Sequence, residues 1–259
     1  MLLDKKKVSV IGYASDLGAN TPGSNLGPES FRQEGLINSL ISLGYEVIDQ
    51  GNVIPKANNK ELIKGAKALP SILDLSTELY QKVYSCLEKG EGLPLTLGGD
   101  HSAAIGSFSA VSDWYRNKNK KVGLIWFDAH ADMNTPQSSD SGNIHGMPVS
   151  VLLGNGYKEL TSIGDHKQKV EPELVSLIGL RSVDFKESKI CRESGVRHFG
   201  ISSVQEKGLS SIVDQLLSYY SRKVDCLHVS FDIDSLDPAD APGVSTPEVS
   251  GLTAREACS

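Results

Sequence analysis

Cysteine is scarce. Cys86, Cys191, Cys226 and Cys258 are the only four in 259 residues, and no two form a Cys-x-x-Cys pair. Their spacing excludes a thiolate zinc cluster and a disulfide-stapled scaffold, and fits reduced intracellular thiols used for packing. Long apolar runs are missing as well: no stretch approaches the ~18 residues of a membrane span. The lysine-bearing N-terminus passes straight into Val8-Ser-Val-Ile-Gly12, too short for the apolar segment of a secretory signal. Positive charge is in deficit. Lys and Arg number 26 against 32 Asp and Glu, a net charge of -6 with no long basic block. Such a chain lacks the electrostatic footprint of a nucleic-acid binder, and its obvious basic run, Lys5-Lys-Lys7, reads as a solvated terminus. The expectation is a cytoplasmic protein with neither a membrane nor a nucleic-acid partner.

What is present is ordinary globular material, 39% hydrophobic with 25 Gly. It is enough for one α/β domain over residues 1–259, with no repeat or linker to divide it. Strand-like runs at 8–13, 45–49, 93–97, 122–128, 174–180, 196–199 and 226–231 alternate with helical patterns. The helical patterns open at Gly27-Pro-Glu-Ser30 (then Phe31, Leu36, Ile37, Leu40) and recur at 72–87, 103–115, near 147–153 and at 204–220. Residues 52–59 read as a polar loop. Alternating βα units predict a three-layer α/β/α fold with a mainly parallel sheet.

Three of the strand-like runs turn polar as they end. Gly98-Gly-Asp-His-Ser102 follows the third, Asp128-Ala-His-Ala-Asp132 the fourth, and Asp232-Ile-Asp234 the last. His101, Asp128, His130, Asp132, Asp232 and Asp234 are thus candidate metal ligands at the C-terminal strand ends, where parallel sheets form their crevices. In an extended segment, residues i and i+2 face one side, so each acidic pair can converge on one centre. Four carboxylates and two imidazoles suit Mn²⁺, with Fe²⁺, Co²⁺ or Zn²⁺ as alternatives. Six ligands suffice for two ions if carboxylates bridge, and paired ions turn bound water into a nucleophile near neutral pH. Asp100, Asp237 and Asp240 read as caps or turn residues.

These segments, with Ser230-Phe-Asp-Ile-Asp-Ser-Leu-Asp-Pro238 and Ala241-Pro-Gly-Val-Ser-Thr-Pro247, resemble the signatures of the ureohydrolase family, which holds arginase, agmatinase and their relatives. The resemblance runs from about Val8 to the last residue. It implies two Mn²⁺ per subunit, with His101, Asp128, Asp132 and Asp232 on one ion and His130, Asp128, Asp232 and Asp234 on the other. It further implies hydrolysis of L-arginine to L-ornithine and urea by a metal-bridging hydroxide, with Asp128 at the centre and His145 as proton relay. The loop from Asn134 to Pro148 is similar to the arginase version, in which Asn134, Ser141 and Asn143 would bind the amino-acid carboxylate. Asp184 and Glu187 would receive the α-ammonium, and Thr246 matches a substrate-contacting position. Agmatine has no α-carboxylate, which favours arginine, although Asn, Ser, Asp and Gly are also ordinary turn residues. Agmatinase or another guanidino-acid hydrolase is the alternative.

Against the family pattern, Gly251-Leu-Thr-Ala-Arg-Glu256 opens a helix that the last three residues end. The expectation is therefore a domain lacking the usual C-terminal βα unit and its guanidinium-contacting glutamate. A catalytically inactive metal-binding isoform that assembles with full-length subunits is then a further alternative. The family also implies a trimer or hexamer.

Overall fold

The computed structural model describes residues 6–56 and 68–258. The first strand, β1 (Lys7–Tyr13), shows how the layers form. Its alternate residues are apolar on both sides. Val8 and Val10 pack with Leu36, Ile37 and Leu40 of α2 (Leu36–Ser42). Ile11 and Tyr13 point the other way, into the cluster holding Ile72, Leu79 and Val83 of α3 (Leu69–Lys89). A strand buried on both faces between helices is the signature of a parallel α/β sheet.

Every strand pairing among the described residues is parallel. β1 lies between β2 (Glu46–Val53) and β3 (Leu93–Leu97). A second group has the order β6-β5-β4-β7, made of β4 (Val122–Phe127), β5 (Val175–Leu180), β6 (Arg197–Gly200) and β7 (Cys226–Phe231). The expected fold class holds, but the sheet is in two portions. Their edge strands β3 and β7 line one cavity of about 460 Å³, with β3 residues Pro94 to Leu97 on one side and β7 residues His228 to Phe231 on the other. The main core cluster gathers residues from Ile11 to Leu252. No helix among the described residues is long and apolar enough to cross a membrane.

The helix α4 (Ala103–Arg116) starts two residues after His101 and packs closely on α3. A Cβ at Gly106 would lie 2.3 Å from the Ser76 carbonyl oxygen, so only glycine allows this approach. The contact fixes the helix whose first turn carries the His101 loop.

Several boundaries differ from the sequence reading, each for a local reason. The helical pattern at 204–220 is two helices, α6 (Ile201–Lys207) and α7 (Leu209–Tyr220), because Gly208 sits at φ 80 and ψ 141, outside any helix. The pattern opening at Gly27 is likewise α1 (Gly27–Gln33) and α2, divided by Gly35 in the left-handed region. Asn52 and Val53 belong to β2 and not to a polar loop, whose residues 57–59 lie outside the described residues. Lys5 also lies outside them, while Lys7 pairs with Glu46 at 3.3 Å. The helix α5 (Phe185–Ser194) carries Glu187 in its first turn and had no counterpart among the sequence-read elements.

Candidate metal centre

β4 is an internal strand, and its last residue, Phe127, hands the chain directly to Asp128. Asp128 is 1% exposed. Its Oδ1 accepts the His130 backbone N–H at 2.7 Å, and its Oδ2 accepts the Trp126 indole N–H at 3.0 Å. The segment is therefore a tight turn and not an extended strand. Asp132 stands in the left-handed region at φ 51, rare for a non-glycine residue and common at functional sites. The second acidic pair behaves alike: Asp232 caps a 3₁₀ turn, Ile233–Ser235, and its Oδ1 accepts the Asp234 N–H at 2.9 Å. Side-chain-capped turns, and not alternation along a strand, bring these candidate residues together.

The converging atoms fall into two groups that share Asp128. His101 Nδ1 lies 3.0 Å from Asp128 Oδ2, 3.1 Å from Asp132 Oδ2 and 3.0 Å from Asp232 Oδ2. One ring nitrogen carries at most one hydrogen, so it cannot serve three carboxylates. Asp132 Oδ2 is buried and makes no hydrogen bond. His130 Nδ1 lies 3.3 Å from Asp128 Oδ1 and 3.2 Å from Asp234 Oδ2. Each Asp128 oxygen therefore belongs to a different group.

The electrostatics show the same demand for positive charge. Burial, reinforced by the charge of Asp128, raises the Asp132 carboxyl well above the usual carboxylate range. Burial acts to lower both imidazoles, yet the surrounding carboxylates overcome it. His101 is raised well above its ordinary value, and His130 is pushed up to about 11. Oxygen-rich groups with one imidazole each are the donor set of a Mn²⁺-like divalent ion. The residues present fit two such ions.

An outer ring of contacts holds the candidate ligands. Trp126 stacks on His101 with ring centroids 3.9 Å apart and planes at 13°. Ser230 Oγ lies 2.8 Å from His101 Nε2. Asp100 accepts the N–H groups of Gly18 and Ser102 at 2.9 Å each, which ties the His101 loop to the loop after β1. Asp237 accepts the N–H groups of Ala239 and Gly251, and Asp240 that of Ala254, as caps do. Arg181 has the largest share. Its guanidinium donates to the carbonyls of Gly179, Asp234, Ser235, Leu236, Glu248 and Val249 at 2.7–3.3 Å. Sequence reasoning missed Arg181, Trp126 and Ser230. The available signal was adjacency: Trp126 and Ser230 each stand two residues before a candidate ligand, and Arg181 three before Asp184.

A cavity of about 440 Å³ opens over the centre. It is lined by all seven residues assigned to substrate and proton transfer: Asn134, Ser141, Asn143, His145, Asp184, Glu187 and Thr246. Asn134 is held on both sides, donating to Asp184 Oδ2 at 3.2 Å and accepting from the Ser138 hydroxyl at 2.8 Å. Ser141 Oγ accepts the Asn143 N–H at 3.2 Å. Asn143 Oδ1 is buried without a hydrogen-bond partner among the described residues. Thr246 donates to Asp234 Oδ2 at 3.0 Å, so its hydroxyl is engaged with a candidate ligand. His145 follows a backbone bond from its own N–H to the Gly18 carbonyl. Burial holds its imidazole below the ordinary histidine value, opposed by the charges of Asp100 and Asp232.

Glu187 is 3% exposed, and its Oε1 accepts the Met133 N–H at 2.8 Å. Burial pushes its carboxyl from 4.5 to about 7. In the unfolded chain the proton leaves near 4.5, whereas the folded chain keeps it to about 7. Unfolding therefore releases a proton within that window, and stability falls as pH rises through it, by on the order of 3 kcal/mol. Denaturant titrations of the metal-free protein at about pH 5 and about pH 7.5 check this. Glu187→Gln should lose that part of the pH slope, and parallel slopes for the two proteins would contradict it.

The model of the Arginase family matches residues 6–259. Over 254 residues the chain is 42% identical to the arginase of Bacillus subtilis (strain 168) and 40% identical to that of Bacillus caldovelox. Each match covers 97% of this chain and 83% of the relative. The crystal structure of arginase from Bacillus cereus is similar with a TM-score of 0.89 at 37% identity, again over 97% of this chain and 83% of the other.

Proposed function

The chain belongs to the arginase family, and from that premise we propose that it hydrolyses L-arginine to L-ornithine and urea with two Mn²⁺ ions. The observation that carries the reading is the single buried Asp128, whose two oxygens face two separate ligand groups. His101, Asp128, Asp132 and Asp232 would hold one ion, and Asp128, His130, Asp232 and Asp234 the other. When bound, such ions supply a water that is deprotonated near neutral pH.

The remaining work falls to the chain. A guanidinium stays charged at any physiological pH and is a poor electrophile. The carboxylates that line the centre and its cavity help to tolerate that charge, which an apolar site would exclude through lost solvation. Asn134, Ser141 and Asn143, which line the cavity, orient the α-carboxylate through amide and hydroxyl groups. Asp184, hydrogen-bonded to Asn134, and Glu187 line the same cavity and receive the α-ammonium. An ammonium beside Glu187 would draw its proton off, converting a carboxyl poised near neutrality into a counter-ion. His145, kept neutral by burial, accepts a proton at a ring nitrogen and passes it to the departing amine. The four unpaired thiols support a cytoplasmic location for this activity.

Urea release from L-arginine and agmatine, measured in parallel after loading with Mn²⁺, tests the reading. The expected result is turnover of arginine with agmatine disfavoured at least ~100-fold in kcat/KM, because the carboxylate-binding groups are left unpaired by the decarboxylated substrate. Equal or reversed preference would move the assignment to agmatine. Two bound ions without urea from either substrate would favour a non-catalytic metal-binding role.

A further inference from the structure

The two imidazoles of the centre present the same atom inward and different company outward. His101 turns Nδ1 to three carboxylates, and its Nε2 meets the neutral hydroxyl of Ser230 at 2.8 Å. His130 turns Nδ1 to only two carboxylates, Asp128 and Asp234. Its Nε2 faces a carboxylate instead, with Glu248 Oε1 at 3.9 Å.

Glu248 does not arrive there by chance rotation of a surface side chain. The same Oε1 accepts the Ser182 hydroxyl at 2.9 Å, and the Glu248 carbonyl accepts from Arg181 at 2.8 Å. Two residues earlier, Thr246 bonds Asp234 Oδ2. One short strap, 246–249, thus touches the second ligand group twice, once through a ligand carboxylate and once beside the ligand imidazole. Arg181 ties the strap to the turn that bears Asp234.

We propose that Glu248 is a positioning residue for the second metal ion, its Ser182-anchored carboxylate closing the 3.9 Å to Nε2 of His130 and receiving that nitrogen's proton when the ion binds. The proposal rests on the dinuclear reading above. An imidazole that ligates through Nδ1 keeps its one hydrogen on Nε2. A carboxylate on that hydrogen fixes the ring's rotation and makes Nδ1 a stronger donor, whereas a hydroxyl fixes rotation without adding charge. The two histidines thus differ in their outer partners, a neutral hydroxyl behind His101 and a carboxylate behind His130. Glu248 is 39% exposed on its side chain, so its effect is screened and belongs to the lower part of the range for such partners.

The test uses the full chain, stripped of metal and titrated with Mn²⁺, for wild type, Glu248→Gln, Glu248→Ala, Ser182→Ala and Ser230→Ala. Wild type is expected to bind two ions. Glu248→Ala should weaken one of them by roughly 10-fold and leave the other nearly unchanged. Glu248→Gln, whose amide oxygen still accepts the proton, should lose less, Ser182→Ala should lose part, and Ser230→Ala should weaken the other ion. In the Co²⁺-loaded protein, the exchangeable paramagnetically shifted Nε2–H resonance of His130 should broaden into solvent exchange in Glu248→Ala. A merely structural role would leave that signal sharp. Wild-type affinities and a sharp resonance in Glu248→Ala would overturn the proposal alone. So would equal weakening of both ions together with a lowered melting temperature. Absence of any bound ion in the wild type would remove the dinuclear reading and the proposal together.

Discussion

Asp128→Asn should lose both metal ions at once. The substitution preserves shape, but it replaces one oxygen by an N–H₂ group in a position where both oxygens are committed. Oδ2 faces His101 and the first group, while Oδ1 faces His130 and the second. Whichever way the amide turns, one group meets a donor where it needs an acceptor. The amide must also meet two donors already in place, the Trp126 indole N–H and the His130 backbone N–H. Urea release should fall by roughly 10³-fold or more, because Lewis-acid activation is worth several kcal/mol. Metal content should fall from two ions per chain to less than one. The metal-free chain should remain folded, since the mutation relieves the repulsion that raises Asp132. Metal analysis alongside a thermal melt checks all three, and a variant that retains both ions would refute the shared role of Asp128.

Arg181→Ala should act through stability first and chemistry second. Six backbone carbonyls from three segments converge on one guanidinium. Five of them belong to the turn after β7 and the strap beyond it, Asp234, Ser235, Leu236, Glu248 and Val249. Charged hydrogen bonds contribute ~1.5–3 kcal/mol each, and carbonyls left buried without donors add a penalty. The group is partly exposed, and the bonds are not additive, so the expected loss is on the order of 3 kcal/mol. Lysine should rescue little, because a single ammonium carries three donors at one point and cannot span a planar fan of acceptors. The second metal group should loosen before the first, since Asp234 and Glu248 both depend on this residue. Denaturant midpoints for Arg181→Ala and Arg181→Lys, with Mn²⁺ titrations of each, check the ordering. Wild-type stability in the alanine variant would contradict it.

The parts of this molecule that were legible in its sequence are those written in local runs. The apolar stretches that end in Asp128, in Asp232 and near His101 announced both the strands and the convergence of candidate ligands beyond them, because a buried parallel strand must be apolar and its crevice end need not be. The geometry of the ligands was less legible. Spacing at i and i+2 suggested extended chain, whereas Asp132 reaches its place through a left-handed residue and Asp234 through a turn capped by Asp232. Both routes depend on aspartate bonding the backbone two residues on, which competes with strand geometry in acidic segments.

Contacts between distant segments left little local trace. Nothing near Arg181 shows that its partners are carbonyls some fifty to seventy residues later, because backbone acceptors have no sequence identity. Glu248 was hidden for a similar reason, since its partners His130 and Ser182 lie in other motifs. The division of the helical pattern at Gly208 was legible in principle. The apolar period continues across it, and periodicity outweighed a single glycine. Strand order could not be read at all, so the shared cavity between the edges of β3 and β7 emerges only in three dimensions.

The most direct test of a centre built around one shared carboxylate is the electron paramagnetic resonance spectrum of the chain loaded with Mn²⁺, with the metal counted on the same sample. Two ions per chain with an exchange-coupled spectrum, reverting to the uncoupled form or vanishing in Asp128→Asn, is the expected result. A spectrum of isolated, uncoupled ions at that same loading, or a folded chain that retains no manganese, would contradict it.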